Sequence, residues 1–150
     1  MQFSYPFNVK KEGAEFIVTF PDIPEALTGA DTREEAIDLA RDSLIAALGG
    51  YIDDKRPIPE PSEKRPRQEL AHLNPLEAAK VGLHMAMVDE KVGNVALGKR
   101  LGIDEKAVRR MLDLDQHTKI ETINDALKSV FKYRLITSME RAHGTSGARI

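Results

Sequence analysis

The chain of 150 residues is 41% hydrophobic and 31% charged, the balance of a soluble globular protein with room for one medium domain or two small ones. It has no cysteine, which excludes disulfides, zinc ribbons, thiol nucleophiles and redox couples. The longest charge-free apolar stretch, Ser43 to Ile52, is too short to cross a membrane, and Met1–Tyr5 lack the pattern of a secretory signal, so a cytoplasmic location with no membrane partner is expected. The net charge of −2 hides a division. Residues 1–60 hold six Lys and Arg against twelve Asp and Glu, and residues 61–150 hold sixteen against twelve. An acidic half favours basic partners and a basic half permits contact with phosphate, with chance as the open alternative.

Phe3, Tyr5, Phe7 and Val9 alternate with polar residues, as on a strand with one apolar face. Pro6 lacks a backbone donor and suits an edge or a bulge. Lys11-Glu12-Gly13 reads as a turn, and Phe16, Val18 and Phe20 make the second arm of a β-hairpin. Pro21 to Glu25 breaks the pattern, and Leu27 to Ala30 fits a short third strand. Thr32 and Glu35 form a capping box that opens a helix. Ala36, Ile37, Ala40, Leu44, Ala47 and Leu48 line its apolar face. Gly49-Gly50 either ends this helix or lets it run on to Tyr51-Ile52.

Residues 55–67 contain four prolines and seven charged residues, which fits a loop, either a flexible tether or a segment packed on the sheet. Glu69 to Leu73 fits a last strand returning to the sheet. Asn74-Pro75, with Glu77 at the third position, opens a helix running to about Lys91. Leu76, Ala79, Leu83, Ala86 and Met87 line one of its faces. Shorter helices are expected at about 94–101, 104–113 and 119–131, then a short strand at 133–139 and a disordered tail over 141–150. The fold class is therefore α+β. A small antiparallel sheet with a helix occupies residues 1–73, including the 55–68 loop or linker, and an all-α domain occupies 74–140.

Between Asn94 and Met111, two short helices have to cross steeply. Gly98 supplies a small contact residue and Gly102 a turn residue that tolerates positive φ. Leu97, Leu101, Ile103, Val108 and Met111 fill the inward positions. This is the spacing of a helix-turn-helix, and it resembles the Cro/CI-type repressors, which usually carry alanine where Gly98 stands and Ser or Thr where Gly93 stands. With Asp104 as its cap, the second helix would present Glu105, Lys106, Arg109 and Arg110 to the major groove. The arginines suit guanine edges or phosphate, and Glu105 suits cytosine N4. Lys99, Thr118 and Lys119 fall where flanking helices meet phosphates. The bland alternative is a solvated helix face. Asp104, Glu105, Asp113 and Asp115 temper the positive field, so binding should be modest and salt-sensitive. One such module reads few base pairs, and a dimer reads two half-sites. Residues 133–139 are equally suited to a dimer contact and to packing within their own domain.

The run from Phe20 through Pro21-Asp22-Ile23-Pro24-Glu25 and Leu27-Thr28-Gly29-Ala30 to Thr32-Arg33-Glu34-Glu35-Ala36 resembles the HicB antitoxin family. The Pro57-Ile58-Pro59 stretch follows as it does there. The segment at 93–111, with His117 to Ile120 beyond it, is similar to the subclass ending in a Cro/CI-type helix-turn-helix. The resemblance covers residues 1 to about 139. It implies a first domain shaped like part of an RNase H fold that binds and blocks a small basic mRNA-cleaving ribonuclease toxin (HicA-like). It also implies a second domain that represses the protein's own operon by binding operator DNA, as a homodimer or homotetramer. Asp22 and Glu25 in the Pro-bracketed turn are candidate toxin contacts, or else solvated carboxylates of a rigid turn.

An RNase H-type nuclease needs converging carboxylates around Mg²⁺, one of them on the first strand. Gln2 to Lys10 has none, and Glu34, Glu35, Asp38 and Asp42 read as solvated charges. His72, His84, His117 and His143 are scattered, without metal-ligand spacing. His84, between Leu83 and Met85, reads as a helix-surface or core-edge residue; His117 suits a phosphate contact or a helix end. No catalytic residue, metal site or cofactor is expected. The alternative function is a stand-alone repressor whose first domain senses a ligand or oligomerises.

Overall fold

The structure, a computed structural model, describes residues 1–142. Strands β1 (Ser4–Glu12) and β2 (Glu15–Thr19) form the expected hairpin, closed by Gly13 at φ +62°. Strand β3 (Leu27–Ala30) adds beyond β2 and β4 (Glu69–His72) beyond β1, so the antiparallel sheet runs β3-β2-β1-β4.

This order puts β1 not at an edge but inside the sheet, where a residue without an N–H is ordinarily excluded. The register supplies a place for Pro6. The Leu73 amide donates to the Phe3 carbonyl, and ladder bonds alternate, so Pro6 faces Leu70 in a pair that exchanges none. Its missing N–H points toward β2, whose pairing with β1 stops at Asn8↔Thr19. Pro6 thus sits where β1 is locally an edge.

Helix α1 (Arg33–Asp53) lies across the sheet, its first turn capped by Thr32 Oγ1, which accepts from the Glu35 amide at 3.2 Å. Ala36, Ala40, Leu44, Leu48 and Tyr51 bury themselves at near-helical spacing over Tyr5, Phe7, Val18 and Phe20. The helix runs through Gly49-Gly50 because Leu48, Tyr51 and Ile52 are buried on either side, outweighing a propensity cost of about 1 kcal/mol per glycine. Glu34, Glu35, Asp38 and Asp42 are exposed.

The 55–68 segment has no helix or strand, and it is packed, not a free tether. Ile58 is buried, and the Tyr5 hydroxyl donates to the Pro59 carbonyl at 2.8 Å.

Four helices follow: α2 (Pro75–Asp89), α3 (Asn94–Leu101), α4 (Glu105–Leu112) and α5 (Ile120–Ala126). The capping box of α2 is complete. Asn74 accepts from the Glu77 amide, and Glu77 accepts from the Asn74 amide. α2 is buried around most of its circumference and joins the sheet unit to the later helices, so the buried side chains make one continuous core.

Two expectations for the C-terminal part are corrected. The helix expected over 119–131 is regular only to Ala126 and widens into a π-helical turn, Leu127–Phe131, ending at Lys132 in the left-handed region. Residues 133–139 form no strand. They have no regular secondary structure and pair with no strand among the described residues, and the Leu135 amide is held by Asn124 Oδ1 at 2.9 Å. The expected tail over 141–150 lies, from His143 on, outside the described residues.

Candidate functional site

Helices α3 and α4 are joined by a turn over Gly102–Asp104. Gly102 has φ +71°, a conformation that any side chain would strain. Gly98 is needed for a different reason. A Cβ there would lie 2.7 Å from the Ile103 carbonyl oxygen, so the turn backbone rests directly on α3. The Ile103 amide also donates to the Gly98 carbonyl at 2.9 Å. This corrects the inward placement of Ile103: its backbone meets α3, and its side chain is 36% exposed. Leu97, Val108 and Met111 are buried as expected, while Leu101 is half-buried.

Gly93 caps α3 without a side-chain bond, and Asp104 Oδ1 caps α4 by accepting from the Ala107 amide at 2.8 Å. On α4, Lys106, Arg109 and Arg110 are exposed and Glu105 is half-buried. Glu105 and Arg109 pair with each other one turn apart, Oε1 to Nη2 at 2.9 Å. Glu105 is therefore engaged with Arg109 as α4 stands. Among the described residues, Lys99, Lys106, Arg110 and Lys119 make no ion pair. Thr118 is brought against α4, its Oγ1 3.4 Å from the Arg110 carbonyl, and Lys119 stands at the N-terminal boundary of α5 without a side-chain cap bond.

Beneath α4 lies Lys80 of α2, wholly buried. Its Nζ donates to the carbonyls of Arg110, Asp113 and Gln116 at 3.0, 2.6 and 2.8 Å. Burial pulls its pKa down, opposed by the nearby Asp113 carboxylate. Sequence reasoning missed this residue. The available signal was a lysine one turn from Leu76 and three residues before Leu83, on a stripe of apolar positions.

In the sheet unit, the Pro-bracketed turn uses its carboxylates internally. Asp22 Oδ2 accepts from the Ser62 amide and hydroxyl at 2.9 and 3.0 Å. Glu25 accepts from the Tyr51 hydroxyl at 2.6 Å and from Arg56 Nη1 at 2.8 Å. These bonds hold the Glu25 carboxyl below the usual carboxylate range, the Tyr51 bond contributing most. The Arg56 guanidinium also stacks over the Tyr51 ring at 4.1 Å. Both acids thus hold the 55–62 segment in place. Asp22 is half-buried and Glu25 remains exposed.

Two polar links run from this unit into α2. His84 Nε2 donates to the Arg56 carbonyl at 2.7 Å, and burial lowers the pKa of the ring. Arg41 of α1 pairs with Glu77. His84 is thus buried at a junction, with its Nε2 engaged. His72 bonds Ser4 Oγ through Nδ1 at 2.7 Å, and His117 is exposed. Among the described residues, no three His, Asp or Glu stand together as a metal site, and no helix is long and apolar enough to cross a membrane.

Residues 4–82 match the family described as HicB_like antitoxin of bacterial toxin-antitoxin systems. Over the longer chain, the protein is 40% identical to Antitoxin HicB 2 of Photorhabdus laumondii across 129 residues, 86% of this chain and 91% of the relative. It is 34% identical to Antitoxin HicB of Pseudomonas fluorescens across 143 residues, 95% of this chain and 97% of the relative. Antitoxin HicB of Escherichia coli K12 is 31% identical across 132 residues, 88% of this chain and 95% of the relative. The sheet, its crossing helix and the packed proline-rich segment all lie within the matched family region, and the chain belongs to the HicB-like antitoxin family of bacterial toxin-antitoxin systems.

Proposed function

We propose that this antitoxin works as a non-catalytic cytoplasmic protein with two binding activities. Its sheet unit binds and blocks a small basic mRNA-cleaving ribonuclease toxin of the HicA kind. Its helices α3 and α4 act as a Cro/CI-type helix-turn-helix that binds operator DNA and represses the protein's own operon. The observation that carries the DNA reading is the α3–turn–α4 geometry. A turn backbone seated on Gly98 leaves Lys106, Arg109 and Arg110 exposed on a short capped helix, with Thr118 and Lys119 beside it. Lys99 of α3 adds a phosphate contact, and Glu105 either accepts from cytosine or orients Arg109.

The toxin reading rests on family membership and on the acidic balance of residues 1–60. Asp22 and Glu25 are the contacts proposed. Their hydrogen bonds to the 55–62 segment fix the turn, and a carboxylate oxygen accepts more than one donor, so a lysine or arginine of the toxin can join them. Tyr133, Ile136 and Met139, 53%, 85% and 96% exposed, support assembly into a homodimer or homotetramer through the irregular segment after α5.

The test is co-expression with the small open reading frame beside the gene, followed by purification and an RNA-cleavage assay. A stable complex in which cleavage is silenced is expected. Absence of a complex, with specific promoter binding retained, would point instead to a stand-alone repressor.

A further inference from the structure

Lys80 is a buried charge with an unusual set of partners. Three carbonyl oxygens surround its Nζ within 3.0 Å, and no carboxylate oxygen is bonded to it. Three acceptors take three protons, so the group is an ammonium; a neutral amine would set its lone pair against one carbonyl. Burial disfavours that charge, and the site offsets it with the C-terminal end of α4. There the helix dipole and carbonyls without intrahelical partners concentrate negative potential. Arg110 lies in the last turn of α4, Asp113 is its C-cap, and Gln116 belongs to the turn leading to Thr118. One buried group therefore ties the end of α4, the 113–116 turn and α2 together. The same Arg110 carbonyl is approached by Thr118 Oγ1.

We propose that Lys80 is a positioning residue for DNA reading: from within the core it fixes the end of α4 and the approach to α5, and so sets Arg109, Arg110 and Thr118 in register with one another. This rests on the reading of α4 as a DNA-reading helix. Lys80 is 0% exposed and touches no DNA itself. Its loss should therefore disturb the discrimination of base sequence more than the general attraction to phosphate, which depends on exposed cations.

The experiment uses the full chain. Wild-type protein selects a duplex from random-sequence DNA, and Lys80→Met, similar in length and uncharged, is compared on that duplex and on unselected DNA. The expected result is at least a tenfold loss of affinity for the selected duplex, with unselected affinity and its salt dependence within twofold of wild type. Selected-duplex affinity within twofold of wild type would overturn the proposal, as would equal losses on both DNAs, the mark of general loosening. A wild-type chain that selects no duplex overturns the DNA reading itself, and this proposal with it. A second measurement needs no variant. In the wild-type lysine ammonium NMR spectrum, the Lys80 Nζ signal is expected to exchange with water far more slowly than those of exposed lysines, and equal exchange would overturn the proposal.

Discussion

The Pro21–Glu25 turn and helix α4 both carry conspicuous charges, and the fold treats them in opposite ways. Around the turn, Asp22 and Glu25 are bound to Ser62, Tyr51 and Arg56. On α4, Lys106 and Arg110 have no anionic partner among the described residues, and Arg109 has only the half-buried Glu105 one turn away. A charge satisfied within the chain builds the scaffold, and any partner it meets is an addition. Cations left exposed and unpaired, on a helix seated by glycine contacts, remain open to an outside anion. The two regions are joined through α2, whose buried polar residues Glu77, Lys80 and His84 each bond a different part of the molecule.

The largest effects should come from the core, and they test whether the two regions are one folding unit. Leu44 and Leu97 are each fully buried, one under the sheet and one in α3. Leu44→Ala and Leu97→Ala should each cost about 2–5 kcal/mol. Because the buried side chains are continuous, both variants should lower a single calorimetric transition. Two transitions, each responding to only one variant, would separate the regions.

Next comes the α3–turn contact. Gly98→Ala places a Cβ 2.7 Å from the Ile103 carbonyl oxygen, so backbone of the turn has to shift. Overpacking of about 1–3 kcal/mol should outweigh the gain of about 1 kcal/mol in helix propensity. Urea unfolding should show net destabilisation, and stabilisation would mean that the turn is not seated as described.

A smaller effect is expected at the proline-rich segment. Tyr5→Phe removes the hydroxyl that donates to Pro59, and should cost about 0.5–1.5 kcal/mol. Amide exchange should quicken in residues 55–62 and stay unchanged in α4.

The smallest effect is a pH dependence at the junction. Burial depresses the His84 pKa in the folded state. Its contribution is therefore present above the ordinary histidine pKa and is lost as pH falls through that range toward the folded value. Between pH 7.5 and 5.5 the Tm of wild type should fall further than that of His84→Asn, and parallel curves would mean that the ring is not buried neutral.

Much of this was legible in the sequence, for a physical reason. Alternation at Phe3–Val9 and Phe16–Phe20, the Asn74-Pro75 cap and the Gly98/Gly102 spacing are local signals, and each element stands where they place it. What escaped depends on contacts distant in sequence. Pro6 is tolerated because β2 ends early, and no feature of β1 records where β2 ends. Ile103 meets Gly98 with its backbone and is left partly exposed. The 133–139 segment has strand-like composition, yet it finds no partner strand among the described residues. Lys80 and His84 act through carbonyls, which every residue type carries, so no motif marks their partners.

If the sheet unit and the α3–α4 pair divide the work, one double variant separates their activities. Arg109→Ala with Arg110→Ala should be purified in complex with the toxin and assayed both for operator binding and for suppression of RNA cleavage. The expected result is a loss of specific operator binding by tenfold or more, with toxin still bound and silenced. Operator binding undiminished, or both activities lost together in a chain that remains folded, would contradict the division.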